Sequence, residues 1–289
     1  MAFWKRIKKC FPKWKNKRNM AKVKITKVYG KEKPHIICDT NVWYDIASSN
    51  FTKPNDVLLI PTAFSLEELA TSIMMAKYPN FYQTVVKAIY NNCGPIIPEN
   101  PFDFVLMHHD PKYITSEEPT KQLLKDFSAL MERKIDENHV DEDLRSKIIE
   151  DCENSRKPSN DFAALGNDEL LAIRKNINTG IGQKEHLKQD STLVNREFVK
   201  QMFNGYVSAK NYTVDWGKFD WSRIELFMVV TEIFFKKLET TKGMKIASND
   251  IVDWFNLLYV TPEDKYLTFE KKWRKYIEED VRIKHYLFS

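Results

Sequence analysis

The chain has 289 residues, 43% of them hydrophobic and 13% aromatic, which is enough for one large or two modest packed domains. Eight glycines, with Gly180-Ile181-Gly182 as the nearest approach to a glycine run, exclude a phosphate-cradling loop; that tripeptide reads as a turn. Four cysteines without a C-x-x-C pair exclude a zinc ribbon and a disulfide scaffold. A reducing, cytoplasmic setting is the expectation, and no apolar run reaches the ~18 residues a spanning helix needs. The net charge of +5 is uneven: residues 1–33 hold 13 Lys/Arg against Glu32 alone, so the remaining chain is acidic at −7.

Residues 1–21 form a basic, aromatic tail. Trp4, Ile7, Phe11 and Trp14 stand near helical spacing among lysines, and Pro12 interrupts the pattern. Residues 3–14 suit a membrane surface or an RNA-binding arm equally, and a solubilising tail is the plainer reading. No apolar signal core follows, so a secretory signal is not expected. Residues 23–29 alternate and predict an edge strand or a connector.

The stretch from His35 to Ile46 organises the rest. His35-Ile36-Ile37-Cys38 reads as a buried strand, and Asp39 follows it directly. Thr40 and Asn41 then open a helix with Val42, Trp43 and Ile46 on one side. Open α/β sheets bind ligands at the carboxyl ends of their strands. Asp39 is therefore either the N-cap of that helix or a metal ligand.

Residues 57–60 predict a second buried strand, ended by Pro61, with a helix over 62–75. Ser65 and Glu68 stand in S-x-x-E spacing. A helix starting at Ser65 would use Glu68 in a capping box; one starting nearer Thr62 leaves that carboxylate free. Residues 76–92 predict another helix and residues 102–107 a short strand. His108-His109 reads as an ordinary pair of surface or core histidines, because adjacent residues share no face.

From 117 to 204 the pattern is helical and charged, with Leu123, Leu124, Phe127, Leu130 and Met131 as one apolar stripe. Residues 161–189 predict a helix, a turn and a polar loop. Tyr206, Tyr212, Trp216, Phe219 and Trp221 are read as core rather than as a base-stacking platform. Residues 224–238 are a strongly apolar helix. Asp250 and Asp253 fall one turn apart on one helix face, where the dipole favours negative charge. Residues 266–269 predict a strand, Glu270 lies just past its end, and 271–284 a mixed-charge helix.

Asp39, Glu68, Asp250, Asp253 and Glu270 thus all sit at strand ends or in the first turns that follow. Carboxylates gathered there repel one another by about 4 kcal/mol per pair at 4 Å and an effective dielectric near 20. A divalent cation removes that cost, and all-oxygen ligands select Mg²⁺ or Mn²⁺. Such metals activate water and clamp phosphate oxygens. Other chemistry fits poorly: there is no G-x-S-x-G elbow, and Asn41 stands where an aspartyl-phosphate enzyme needs a second Asp.

Together these residues resemble the PIN-domain (PIN-like) nucleases. The likeness rests on Ile37-Cys38-Asp39-Thr40-Asn41-Val42, on Ile60-Pro61 with Ser65-Leu66-Glu67-Glu68-Leu69, on Asn249-Asp250 through Asp253, and on Tyr266-Leu267-Thr268-Phe269-Glu270-Lys271. It implies an α/β, three-layer fold with a central parallel sheet flanked by helices, over 22–110 and 240–289, plus a helical insertion over 111–239. It implies a metal-dependent endoribonuclease with Asp39, Glu68, Asp250 and Asp253 on Mg²⁺ or Mn²⁺. Glu270 replaces the family's usual final Asp, with Asp264 as a substitute. A role as toxin or defence effector, a homo-oligomer and an inhibitor or regulatory protein are further family expectations. The alternative is a non-catalytic RNA-binding module whose acids only cap helices.

Overall fold

The computed structural model describes residues 33–73, 77–115, 142–177 and 191–289. The readings for the basic tail, for 23–29, for the 123–131 stripe and for Gly180–Gly182 lie outside those residues. The architecture is α/β, with a small sheet of three parallel strands in the order β2-β1-β3. They are β1 (His35–Cys38), β2 (Leu58–Ile60) and β3 (Lys265–Leu267). Ile37 lies opposite Ile60 on one side and Tyr266 on the other.

Side chains alternate across a strand, so β1 feeds both faces of the sheet. Ile36 and Cys38 join Leu59 and Leu267 in one apolar core. That core is covered by α1 (Thr40–Ala47), α2 (Ala63–Ala70) and α3 (Pro79–Asn92) through Trp43, Leu66, Leu69, Val86 and Ile89. Ile37, Ile60 and Tyr266 point to the opposite, larger core. Its helices are α4 (Pro101–His109), α5 (Glu142–Ile177), α6 (Ser191–Val207), α7 (Glu225–Thr240), α8 (Ser248–Asn256) and α9 (Lys271–Glu279). Parallel strands need covering on both faces, and these two helical layers supply it. Among the described residues, no helix is long and apolar enough to cross a membrane.

One expectation is corrected. Residues 102–107, expected as a strand, lie inside α4. Asn100 accepts from the Phe102 amide at 3.0 Å and Pro101 occupies the first helical turn, a strong start signal. Residues Pro101 to Leu106 are all buried, the paired Asp103 included, so no exposed face marks the helical period. Of the helix, turn and polar loop expected over 161–189, the helix is present as the end of α5, with no break at Asn167, and the part beyond Ile177 lies outside the described residues. Asn167 instead clasps Ile246: its amide donates to the Ile246 carbonyl at 2.9 Å and its oxygen accepts from the Ile246 N–H at 2.8 Å.

The aromatic stretch from the last turn of α6 onward is core, as read. Phe219 is buried, and Tyr206, Tyr212, Trp216 and Trp221 pack against the larger core. His108 contacts the Phe104 carbonyl through Nδ1 at 2.7 Å and His109 packs on the Phe219 ring.

Candidate metal centre

Because the strands are parallel, the segments that leave them emerge on one edge of the sheet. Asp39 leaves β1, the helix carrying Glu68 leaves β2, and Thr268 leaves β3. The Asp39 N–H donates to the Leu267 carbonyl at 3.0 Å, which pins the start of α1 beside the end of β3.

Asp39 is 3% exposed and it does cap α1, accepting from the Thr40 N–H at 2.7 Å through Oδ1. Its Oδ2 accepts from the Thr268 hydroxyl at 2.7 Å and the Asn41 amide at 3.1 Å. Capping therefore occupies one oxygen only, and the two readings of Asp39 are compatible. Asn41 is itself held, accepting from the Phe269 N–H at 3.1 Å, and Thr268 accepts from the Glu270 N–H at 3.0 Å.

Glu68 depends on where α2 begins. The helix starts at Ala63 with Thr62 as cap, and the reciprocal cap partner is Ser65. Glu68 is thereby left out of the capping box, in the second turn, where it accepts from the Thr40 hydroxyl at 2.6 Å. Thr62 also donates to Asn256 at 2.7 Å, tying the start of α2 to the end of α8. That tie helps bring Asp253 to the same place. Asp253 accepts from the indole N–H of the fully buried Trp273 at 2.9 Å.

The result is a cluster in which one carboxylate oxygen each from Asp39, Glu68 and Asp253 lies within 4.8 Å of the others. Every side-chain donor in this shell is neutral: two hydroxyls, an amide and an indole. Among the described residues, no lysine or arginine forms an ion pair with these three acids. Loss of surrounding water pushes the Asp253 carboxyl up to about 9, with the charges of Asp39 and Glu68 adding to it. The same loss raises Asp39 to about 6, against the hydrogen bond from Thr268. Glu68 is raised for the same first reason, and the Thr40 hydroxyl and the Arg156 charge oppose it.

Three converging carboxylates without a cation fit a hard dication. A carboxylate offers about four acceptor sites, and the contacts above leave room on each. Neither His nor Cys belongs to the cluster, so the donor set suits Mg²⁺ or Mn²⁺ rather than zinc.

The other expected residues lie elsewhere. Asp250 is one turn from Asp253 but is drawn away: it pairs with Lys272 and accepts from the Ala247 N–H at 2.9 Å. It lies outside the three-acid cluster, committed to those two partners. Glu270 is exposed at the N-cap of α9, outside the cluster, although its charge is felt by Asp39 and Asp253. Asp264 precedes β3, at the opposite edge of the sheet, and accepts from Thr261, so it cannot substitute for Glu270.

Sequence reasoning missed the residues that hold the acids: Thr40, Asn41, Thr268 and Trp273. Thr40, Asn41 and Thr268 stood inside the motifs, next to or near an acid, and that adjacency was the available signal. Trp273 carried none.

The fold and site define an α/β protein with a tricarboxylate cluster, Asp39 buried and Glu68 and Asp253 half-buried, at the carboxyl edge of a parallel sheet. Compared with protein-family models, curated proteins and solved structures, the chain matches none of them.

Proposed function

We propose that this chain is a metal-dependent nuclease of the PIN-like kind that hydrolyses RNA phosphodiester bonds, with Mg²⁺ or Mn²⁺ held by Asp39, Glu68 and Asp253. One observation carries the reading. Acids separated by up to 214 positions in the chain meet within 4.8 Å, in a shell of neutral donors and, among the described residues, without a paired cation. Such an arrangement is costly by itself and is relieved by a bound dication.

When bound, the metal supplies charge neutralisation at phosphate oxygens and lowers the pKa of an attacking water. The chain's own residues do the rest. Thr268, Asn41 and the Thr40 N–H fix the rotamer of Asp39. The Thr40 hydroxyl and the Trp273 indole aim Glu68 and Asp253. Neutral hydrogen-bond donors orient ligands without competing with the metal for the site's negative charge. Glu270 stands at the exposed rim, where its charge raises the negative potential that draws in a cation.

The test is RNA cleavage by the full chain with Mn²⁺, with Mg²⁺ and with a chelator. Cleavage that requires the metal and is lost in Asp39→Asn and Asp253→Asn, both still folded, supports the reading. RNA binding without cleavage under any metal points instead to a non-catalytic RNA-binding module.

A further inference from the structure

Helix α5 lies outside the part of the chain that resembles a nuclease, yet it is bolted to the pocket's supporting helices. Near its start, Cys152 approaches the Ala70 carbonyl at 3.9 Å, two residues after Glu68. Farther along, the Phe162 ring meets Phe255 edge-on at 6.1 Å, two residues after Asp253. Beyond these, Asn167 clasps Ile246 and Arg174 holds the Thr241 and Met244 carbonyls at 2.8 Å. The helix therefore spans from beside one candidate metal ligand to beside another.

At 100° per residue, Cys152, Arg156, Asn167 and Arg174 fall within about 60° on one stripe. Cys152, Asn167 and Arg174 all use that stripe to contact the core. Arg156 is half-buried on it, one turn past Cys152, and makes no hydrogen bond or ion pair among the described residues. The groups that feel its charge are Glu68, Tyr44 and Cys152. Tyr44 in turn shares a hydrogen bond with Ser72, just past the end of α2. Arg156 thus stands on the Glu68 side of the cluster, one turn past the Cys152–Ala70 contact, with its donors unspent among the described residues.

An arginine placed beside an acidic cluster without closing an ion pair to it has one well-suited ligand class, because its fork matches phosphate oxygens. We infer that Arg156 is a substrate-binding residue that takes a non-bridging phosphate oxygen of the polynucleotide backbone as it enters the carboxylate pocket. The inference rests on the proposed function for the identity of the ligand. Its test is nevertheless a binding measurement that does not need cleavage.

The experiment titrates a short fluorescein-labelled single-stranded RNA with the full chain carrying Asp39→Asn, over a range of salt concentrations. Adding Arg156→Gln is expected to weaken binding about tenfold and to make the slope of log affinity against log salt shallower by about 0.7. Arg156→Lys keeps the charge, so it keeps the slope and loses only part of the affinity. Circular dichroism confirms that both variants fold. Unchanged affinity and slope in both overturns the inference. So does a result in which Arg156→Gln tightens Mn²⁺ binding and leaves RNA binding alone, which makes Arg156 only a charge neighbour of Glu68. If Arg156 controls RNA binding but no metal supports cleavage in the unmutated chain, this inference stands and the nuclease reading fails.

Discussion

Thr268 donates its hydroxyl proton to Asp39 at 2.7 Å although 229 positions separate them. The same hydroxyl accepts from the Glu270 N–H, so one side chain fixes the acid after β1 to the turn after β3. Thr268 is fully buried, and removing its oxygen takes one of two donors from Asp39 Oδ2 and the hydroxyl acceptor from the Glu270 N–H. Thr268→Val is expected to cost about 1–3 kcal/mol of stability and about 10–100-fold in metal affinity. Thr268→Ser keeps the oxygen and retains most of both. Denaturant melts and Mn²⁺ titration of the two variants check this.

The three clustered acids work against the fold when no metal is bound. Asp253→Asn keeps the acceptor for Trp273 and replaces a carboxyl that folding holds protonated up to about pH 9 with a neutral amide. It is expected to stabilise the metal-free protein, by up to about 3 kcal/mol, while lowering RNA cleavage by at least ~10²-fold. Thermal melts with chelator, set beside cleavage rates with Mn²⁺, test the opposite signs. A variant that is both less stable and fully active contradicts the account.

Asp250 and Asp253 should separate cleanly. Asp250 is paired with Lys272, whose ammonium also lies 4.5 Å from the Trp273 ring centroid and 5.1 Å from that of Phe234. Asp250→Asn is expected to cost about 1–3 kcal/mol and to leave the Mn²⁺-dependent shift in melting temperature unchanged. Loss of that shift would restore Asp250 as a ligand.

The pH dependence follows from the direction of the shifts. Burial and mutual repulsion raise Asp253 from 3.8 to about 9 and Asp39 from 3.8 to about 6. Between those values the folded state holds protons that the unfolded chain has released. The contribution of these groups to stability therefore falls as pH rises from about 4 to about 9. The gap between the parent chain and Asp253→Asn in chelator should widen over that range. Metal requires the ionised carboxylates, so Mn²⁺ affinity rises with pH over the same range. Denaturant midpoints and calorimetric titration at several pH values read both trends.

Much of this site was legible in the sequence, for identifiable reasons. An acid directly after a buried β-branched run marks a strand end, which located Asp39. Glu68 was legible only conditionally, because Thr62 and Ser65 are both competent caps and only the observed start at Ala63 frees the carboxylate. The choice between Asp250 and Asp253 was not legible. Both fit the helix face, and the deciding partner of Asp250 is Lys272, 22 positions later in another helix. Likewise, the apolar run 102–107 has no period to read, since α4 is buried all round. The contribution of α5 lay beyond any local pattern, because Arg156 gains its meaning from where Cys152 and Phe162 are anchored.

The central claim is that the pocket at the sheet edge holds a hard dication. The most direct measurement is anomalous diffraction from a crystal of the full chain soaked in Mn²⁺. The account predicts a peak about 2.0–2.3 Å from carboxylate oxygens of Asp39, Glu68 and Asp253, with none at the Asp250–Lys272 pair. Saturating Mn²⁺ with no peak among those three carboxylates, or a lysine or arginine seated between them, contradicts it.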